Sequence, residues 1–137
     1  NALLGIAHSL AHKTGAVFHI PHGCCNAILL PYVIQYNSRV CMERYAQIAR
    51  LVGLPGETDK QLTNSLVEAI RGMNKKLGIQ PTYQTNGVDE ETFQAHAKTI
   101  AENAVKDPCT GSNPRKTDAE NMQKVLTCAY YGEDVAF

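Results

Sequence analysis

The chain has 137 residues, and its thirteen basic and thirteen acidic side chains cancel, so no charge excess favours nucleic acid or an anionic membrane as partner. That length suits one domain able to bury about two-thirds of the surface its unfolded chain exposes. The apolar run 27–34 is too short to cross a bilayer. No basic-then-apolar leader pattern is visible at the start, and five cysteines without CxxC spacing read as reduced thiols, with the cytoplasm as expected location.

Helix signals dominate along the chain and strand signals are weak. Asn1 is not a methionine and a helical pattern begins at once (Ala2, Leu3, Leu4, Ile6, Ala7), so residues 1–137 are expected to be a fragment whose upstream part is missing. Residues 1–14 read as the end of a helix, with Lys13 favourable at its C-terminus and Gly15 as the stop. A loop over about 15–22 carries Pro21 and His22. Residues 23–36 are apolar nearly all round, the mark of a central buried helix. Pro31 lies inside that run and predicts a kink or break.

Three amphipathic helices and a last one follow. Cys41, Tyr45, Ile48 and Val52 form one stripe, ended by Gly53 and Pro55. Leu62, Leu66, Ile70, Met73 and Leu77 form a second, opened by Thr58 with Gln61 in capping-box register and closed by Gly78. Phe93, Ala97, Ile100 and Ala104 form a third, after the turn-like stretch 81–87. A final helix over about 118–130 carries Met122, Val125, Leu126 and Ala129, with Thr117 and Glu120 as a second capping box and Gly132 at its end. No repeat or linker interrupts the pattern, which predicts an all-α helical bundle.

Four of the five histidines fall within fifteen residues, as His8, His12, His19 and His22 in AHSLAHKTGAVFHIPHG. Imidazole is the commonest protein metal ligand and titrates nearest neutral pH, so the cluster points to a metal or proton-transfer site. His8 and His12, four apart on a helix, share a face and can converge on one ion. Ser9 follows His8, so the general base of an HExxH protease is missing. His22, after a proline, stands where its side chain can swing back toward the helix carrying His8. His19 reads as an ordinary loop residue. No carboxylate lies near in sequence, the first being Glu43, so further ligands are expected from the missing upstream part.

The stretch GIAHSLAHKTGAVFHIPHGCCNAILLPYVIQYN, with its motifs AH-x3-H and PHG-x2-NA-x3-P, resembles the signature of the iron-containing alcohol dehydrogenases. Together with DPCTGSNPRKT and the closing CAYYGED, it is most similar to the alcohol dehydrogenase half of the bifunctional aldehyde/alcohol dehydrogenases. The resemblance covers Gly5 to Asp134. It implies that the chain is the C-terminal helical domain of a two-domain (α/β plus α) dehydrogenase. It also implies that His8 and His22 ligate the metal, Fe(II) or in some relatives zinc, while His12 lies beside the nicotinamide of NAD and relays a proton.

By the same resemblance Cys109 lines the substrate pocket; a buried thiol is the alternative. Arg115 reads as a loop-fixing ion pair. The implied reaction is reversible hydride transfer between a primary alcohol and NAD, giving an aldehyde. The implied partners are the small alcohol or aldehyde, the absent N-terminal nucleotide-binding domain and further copies in a homo-oligomer. The family's pyrophosphate loop and its Asp-x3-His ligand segment are absent here, so the chain alone is expected to be inactive. Rival readings are a single-function relative acting on butanol, propanediol or lactaldehyde, a zinc enzyme of the glycerol dehydrogenase type, and a non-catalytic oligomerisation module.

Overall fold

The computed structural model describes residues 5–137, apart from the side chains of Cys109 and Ser112. Five α-helices follow in order: α1 (Gly5–Phe18), α2 (His22–Leu51), α3 (Asp59–Lys76), α4 (Glu90–Val105) and α5 (Ala119–Tyr131), with a 3₁₀ turn over Pro108–Ser112. The fold is all-α, as the periodicity predicts. One core gathers Ile6 and Leu10 of α1, Ile28, Leu29 and Val33 of α2, Phe93 and Ile100 of α4, and Met122, Val125 and Leu126 of α5. Every member of the predicted α4 and α5 stripes is buried.

Three expectations about the first half need correcting. Gly15 does not stop α1, which continues to Phe18. The stop is His19, whose backbone turns to φ 57°; histidine tolerates this left-handed conformation better than a branched residue would. Gly15 serves close approach instead, because a Cβ there would stand 3.1 Å from the Ile20 carbonyl oxygen. The chain folds back past it into α2.

Pro31 does not break α2 either. A proline cannot donate to the carbonyl four residues before it, and that carbonyl, on Ala27, accepts instead from Asn74 Nδ2 of α3 at 2.8 Å. A side chain from the neighbouring helix thus supplies the missing donor. The helix departs from helical geometry at Cys41 (φ −138°, ψ 32°), so the apolar segment and the Tyr45 stripe are two arms of one long helix.

α3 runs antiparallel to α2, since Thr63 bonds the Met42 carbonyl while Asn74 bonds that of Ala27. Ile34, Tyr45 and Val67 fill the seam between them, and Ala46, Ala49 and Leu62 extend it. The capping box of Thr58 and Gln61 is present. Three residues of the predicted stripes nonetheless face solvent: Val52, Met73 and Leu77. Val52 follows the last residue of α2 and Leu77 that of α3, while Met73 is an exposed residue within α3. At the start of α5 the cap is Asp118, which accepts from the Asn121 N–H, and not Thr117. Gly132 ends that helix at φ 81°.

Candidate metal centre

His8 and His12 project from one face of α1, and His22 is the first residue of α2. The three-residue link 19–21 turns the chain sharply enough to bring the rings together. Ring centroids are 4.5 Å apart for His8 and His12, 4.9 Å for His8 and His22, and 4.7 Å for His12 and His22. One nitrogen of each lies within 4.8 Å of those of the other two. None of the three is buried, so the cluster opens to one side.

The donor set fits a first-row divalent ion. Metal–imidazole bonds of about 2.1 Å place tetrahedral ligands about 3.4 Å apart, so closure needs side-chain movements on the order of an ångström. Imidazole accepts iron, zinc and cobalt alike. His22 titrates below the ordinary imidazole range, because partial desolvation and then the neighbouring His12 and His8 disfavour its cation. A neutral ring is the form that binds metal. Asn26, one turn along α2, lies 3.0 Å from His22 Nε2, so the amide would have to give way for that nitrogen to hold an ion. A cleft of about 200 Å³ between Ala7, His8, Asn26, Ala27 and Leu30 borders the site.

No carboxylate is near the cluster in sequence, but one reaches it in space. Asp107 Oδ2 lies 3.6 Å from His12 Nδ1 and 3.9 Å from Lys13 Nζ, with its side chain only 10% exposed. Nothing in the spacing announces this, since the residue arrives from the far end of α4. His19 is exposed and outside the cluster, as its loop reading predicts. The backbone of Cys109 lies in the 3₁₀ turn, but its side chain is outside the described residues. Cys24, Cys25, Cys41 and Cys128 are free thiols.

Arg115 fixes its loop through backbone oxygens, and no acidic side chain among the described residues pairs with it. Its guanidinium donates to the carbonyls of Tyr36 (2.8 Å) and Phe137 (2.7 Å) and stacks over the Tyr36 ring at 4.0 Å. Behind the cluster, α1 is held by a buried hydroxyl pair. Tyr83 Oη lies 2.9 Å from Thr14 Oγ1, which itself donates to the Leu10 carbonyl at 2.8 Å. A separate groove of about 740 Å³ near Arg39, Lys60 and Asp134 contains none of the histidines.

Residues 1–130 match the family described as Fe-containing alcohol dehydrogenase family, C-terminal. The NADPH-dependent butanol dehydrogenase of Clostridium saccharobutylicum is 52% identical over 137 residues, all of this chain and 35% of that protein. An aldehyde-alcohol dehydrogenase of Streptococcus pneumoniae serotype 4 is 40% identical over 96% of this chain and 16% of its own. The crystal structure of a 1,3-propanediol oxidoreductase superposes with a TM-score of 0.82 at 31% identity, covering 91% of this chain and 32% of that one. The chain therefore spans about a third or less of the length of the relatives it matches.

Proposed function

Because the chain belongs to the Fe-containing alcohol dehydrogenase family, as its C-terminal part, we propose that it forms the metal-holding portion of an enzyme interconverting primary alcohols and aldehydes with a nicotinamide dinucleotide. The convergence of His8, His12 and His22 is the observation that carries this reading. His8 and His22 hold Fe(II), or zinc in its place, and His12 handles the proton. When bound, the ion supplies Lewis acidity toward an alcohol oxygen and the nicotinamide supplies the hydride chemistry.

The chain's own share is geometric. α1 and the first turn of α2 present two imidazoles to one point, and the open side leaves room for ligands and substrate from elsewhere. His12, four residues from His8 on the same face, stands where it can accept a proton leaving the alcohol oxygen. Two or three imidazoles leave the coordination of a catalytic ion unfinished, so the 137-residue chain by itself is inactive. The higher identity to the butanol dehydrogenase than to the aldehyde-alcohol dehydrogenase supports butanol as a substrate.

Cobalt(II) titration of the full chain, followed by its visible absorption, tests the assignment. His8→Ala and His22→Ala are expected to abolish binding, while His12→Ala retains it. Binding that survives both of the first two substitutions would overturn the ligand roles. Oxidation of butanol or ethanol by the purified chain with iron and NAD or NADP would overturn its inactivity alone.

A further inference from the structure

Asp107 reaches the histidines through a loop fastened along its length. It follows the last turn of α4, where its N–H donates to the Ala104 carbonyl at 3.1 Å and its own carbonyl accepts from the Thr110 N–H at 3.0 Å. Thr110 Oγ1 lies 2.6 Å from the Ala104 carbonyl and 2.8 Å from Ser9 Oγ on α1. Further along, Asn113 exchanges amide hydrogen bonds of 3.0 and 2.8 Å with buried Asn37 of α2, and its Oδ1 accepts from the Ile6 N–H of α1 at 3.4 Å. The loop is thereby stitched to both helices that carry the cluster.

The geometry points to Asp107 as a positioning residue that fixes which nitrogen of His12 carries the proton. An ionised carboxylate only accepts hydrogen bonds, so an imidazole facing it through Nδ1 presents an N–H there. At 3.6 Å the pair closes to a hydrogen bond with a sub-ångström shift of either side chain. The neutral ring has one N–H and one lone pair, and the bond made by one nitrogen decides the state of the other. Asp107 therefore leaves the lone pair on Nε2, making that nitrogen an acceptor.

Without the carboxylate the ring relaxes toward the Nε2–H form that unconstrained histidine side chains prefer. Nε2 would then donate, and proton transfer would run through the wrong atom. This assignment rests on the reading of His12 as the proton-handling group. It gives the loop that carries Asp107 a task at the centre.

The test is the tautomer of His12, read from long-range ¹H–¹⁵N spectra of the full, metal-free chain labelled at histidine, at mildly alkaline pH. The wild-type ring is expected as Nδ1–H. Asp107→Ala should shift the ratio several-fold toward Nε2–H, and Asp107→Glu should restore it, with circular dichroism confirming the fold. A wild-type ring in the Nε2–H form would overturn the proposal whatever the variants do, and so would an unchanged tautomer in folded Asp107→Ala. Cobalt affinity in Asp107→Ala should stay within about threefold of wild type; a loss of about 10–100-fold, the usual result of removing a ligand's carboxylate partner, would mark His12 as a ligand and overturn its relay role. An Nδ1–H ring in a wild-type chain that takes up no cobalt supports the Asp107 assignment while removing the metal reading.

Discussion

Replacing Asn74 by leucine removes the side-chain amide that serves the Ala27 carbonyl, and the cost depends on Pro31. In an uninterrupted helix the N–H of residue 31 would bond that carbonyl, so with Pro31 present the leucine leaves a half-buried acceptor unpaired. A net hydrogen bond is worth about 1 kcal/mol, and an orphaned buried acceptor costs about 1–3 kcal/mol. Ala27 is half-exposed, so water offsets part of this and about 1–1.5 kcal/mol is expected. In a Pro31→Ala background the backbone donor returns and the same leucine should cost under about 0.5 kcal/mol, giving a coupling of about 1 kcal/mol. Urea unfolding of the four chains, compared at constant m-value, measures this directly. Equal costs in both backgrounds would refute the claim that a neighbouring helix compensates for the proline.

Thr14→Val leaves the hydroxyl of fully buried Tyr83 only the Cys25 thiol, a weak partner, whereas Tyr83→Phe leaves Thr14 its Leu10 acceptor. Chemical denaturation should therefore show a loss of about 2 kcal/mol for the first and about 1 kcal/mol for the second. The double variant should cost less than the sum. Tyr45 Oη is buried without a hydrogen-bond partner among the described residues, while the adjacent Cys41 thiol bonds the Asn37 carbonyl at 3.3 Å. Tyr45→Phe is accordingly expected to be neutral or to raise the melting temperature, by up to about 1 kcal/mol of stability.

The bond from Gln35, and secondarily Arg71, holds the Asp134 carboxyl below its ordinary value. The stability from that contact is present above the unfolded carboxyl's range and is lost as pH falls through the folded value. Acid titration of Arg71→Met, followed by circular dichroism, should show a shallower loss than wild type.

Sequence pattern carried the fold furthest where a helix turns one face into the shared core. The α4 and α5 stripes and the Thr58 capping box need only local chemistry and a single buried face. Boundaries near the histidines were less legible, because tertiary contacts set them. Gly15 looks like a stop until Ile20 is seen folding back over it, and Pro31 looks like a break until Asn74 arrives from 43 positions further on. The non-helical residue at Cys41 has no sequence signal that we can identify.

At the candidate centre, the meeting of His8, His12 and His22 was readable from a dense run of imidazoles. Asp107 was not. Its approach depends on α4 packing beside α1 and on a loop whose anchors, Ser9 and Asn37, carry no pattern of their own.

The difference in chain separation has a kinetic consequence. The three imidazoles lie within fifteen residues, whereas Asp107 is 95 positions from His12. Closing the longer loop costs about 1.7 kcal/mol more in chain entropy. The ring cluster can assemble as a local helical hairpin early in folding, while its carboxylate neighbour joins only once the second half has docked. In the native protein the order reverses. A local opening of segment 107–115 would release Asp107 while α1 and α2 keep their grip on the rings, so the proposed ion-holding and proton-directing roles would reside in units of unequal durability.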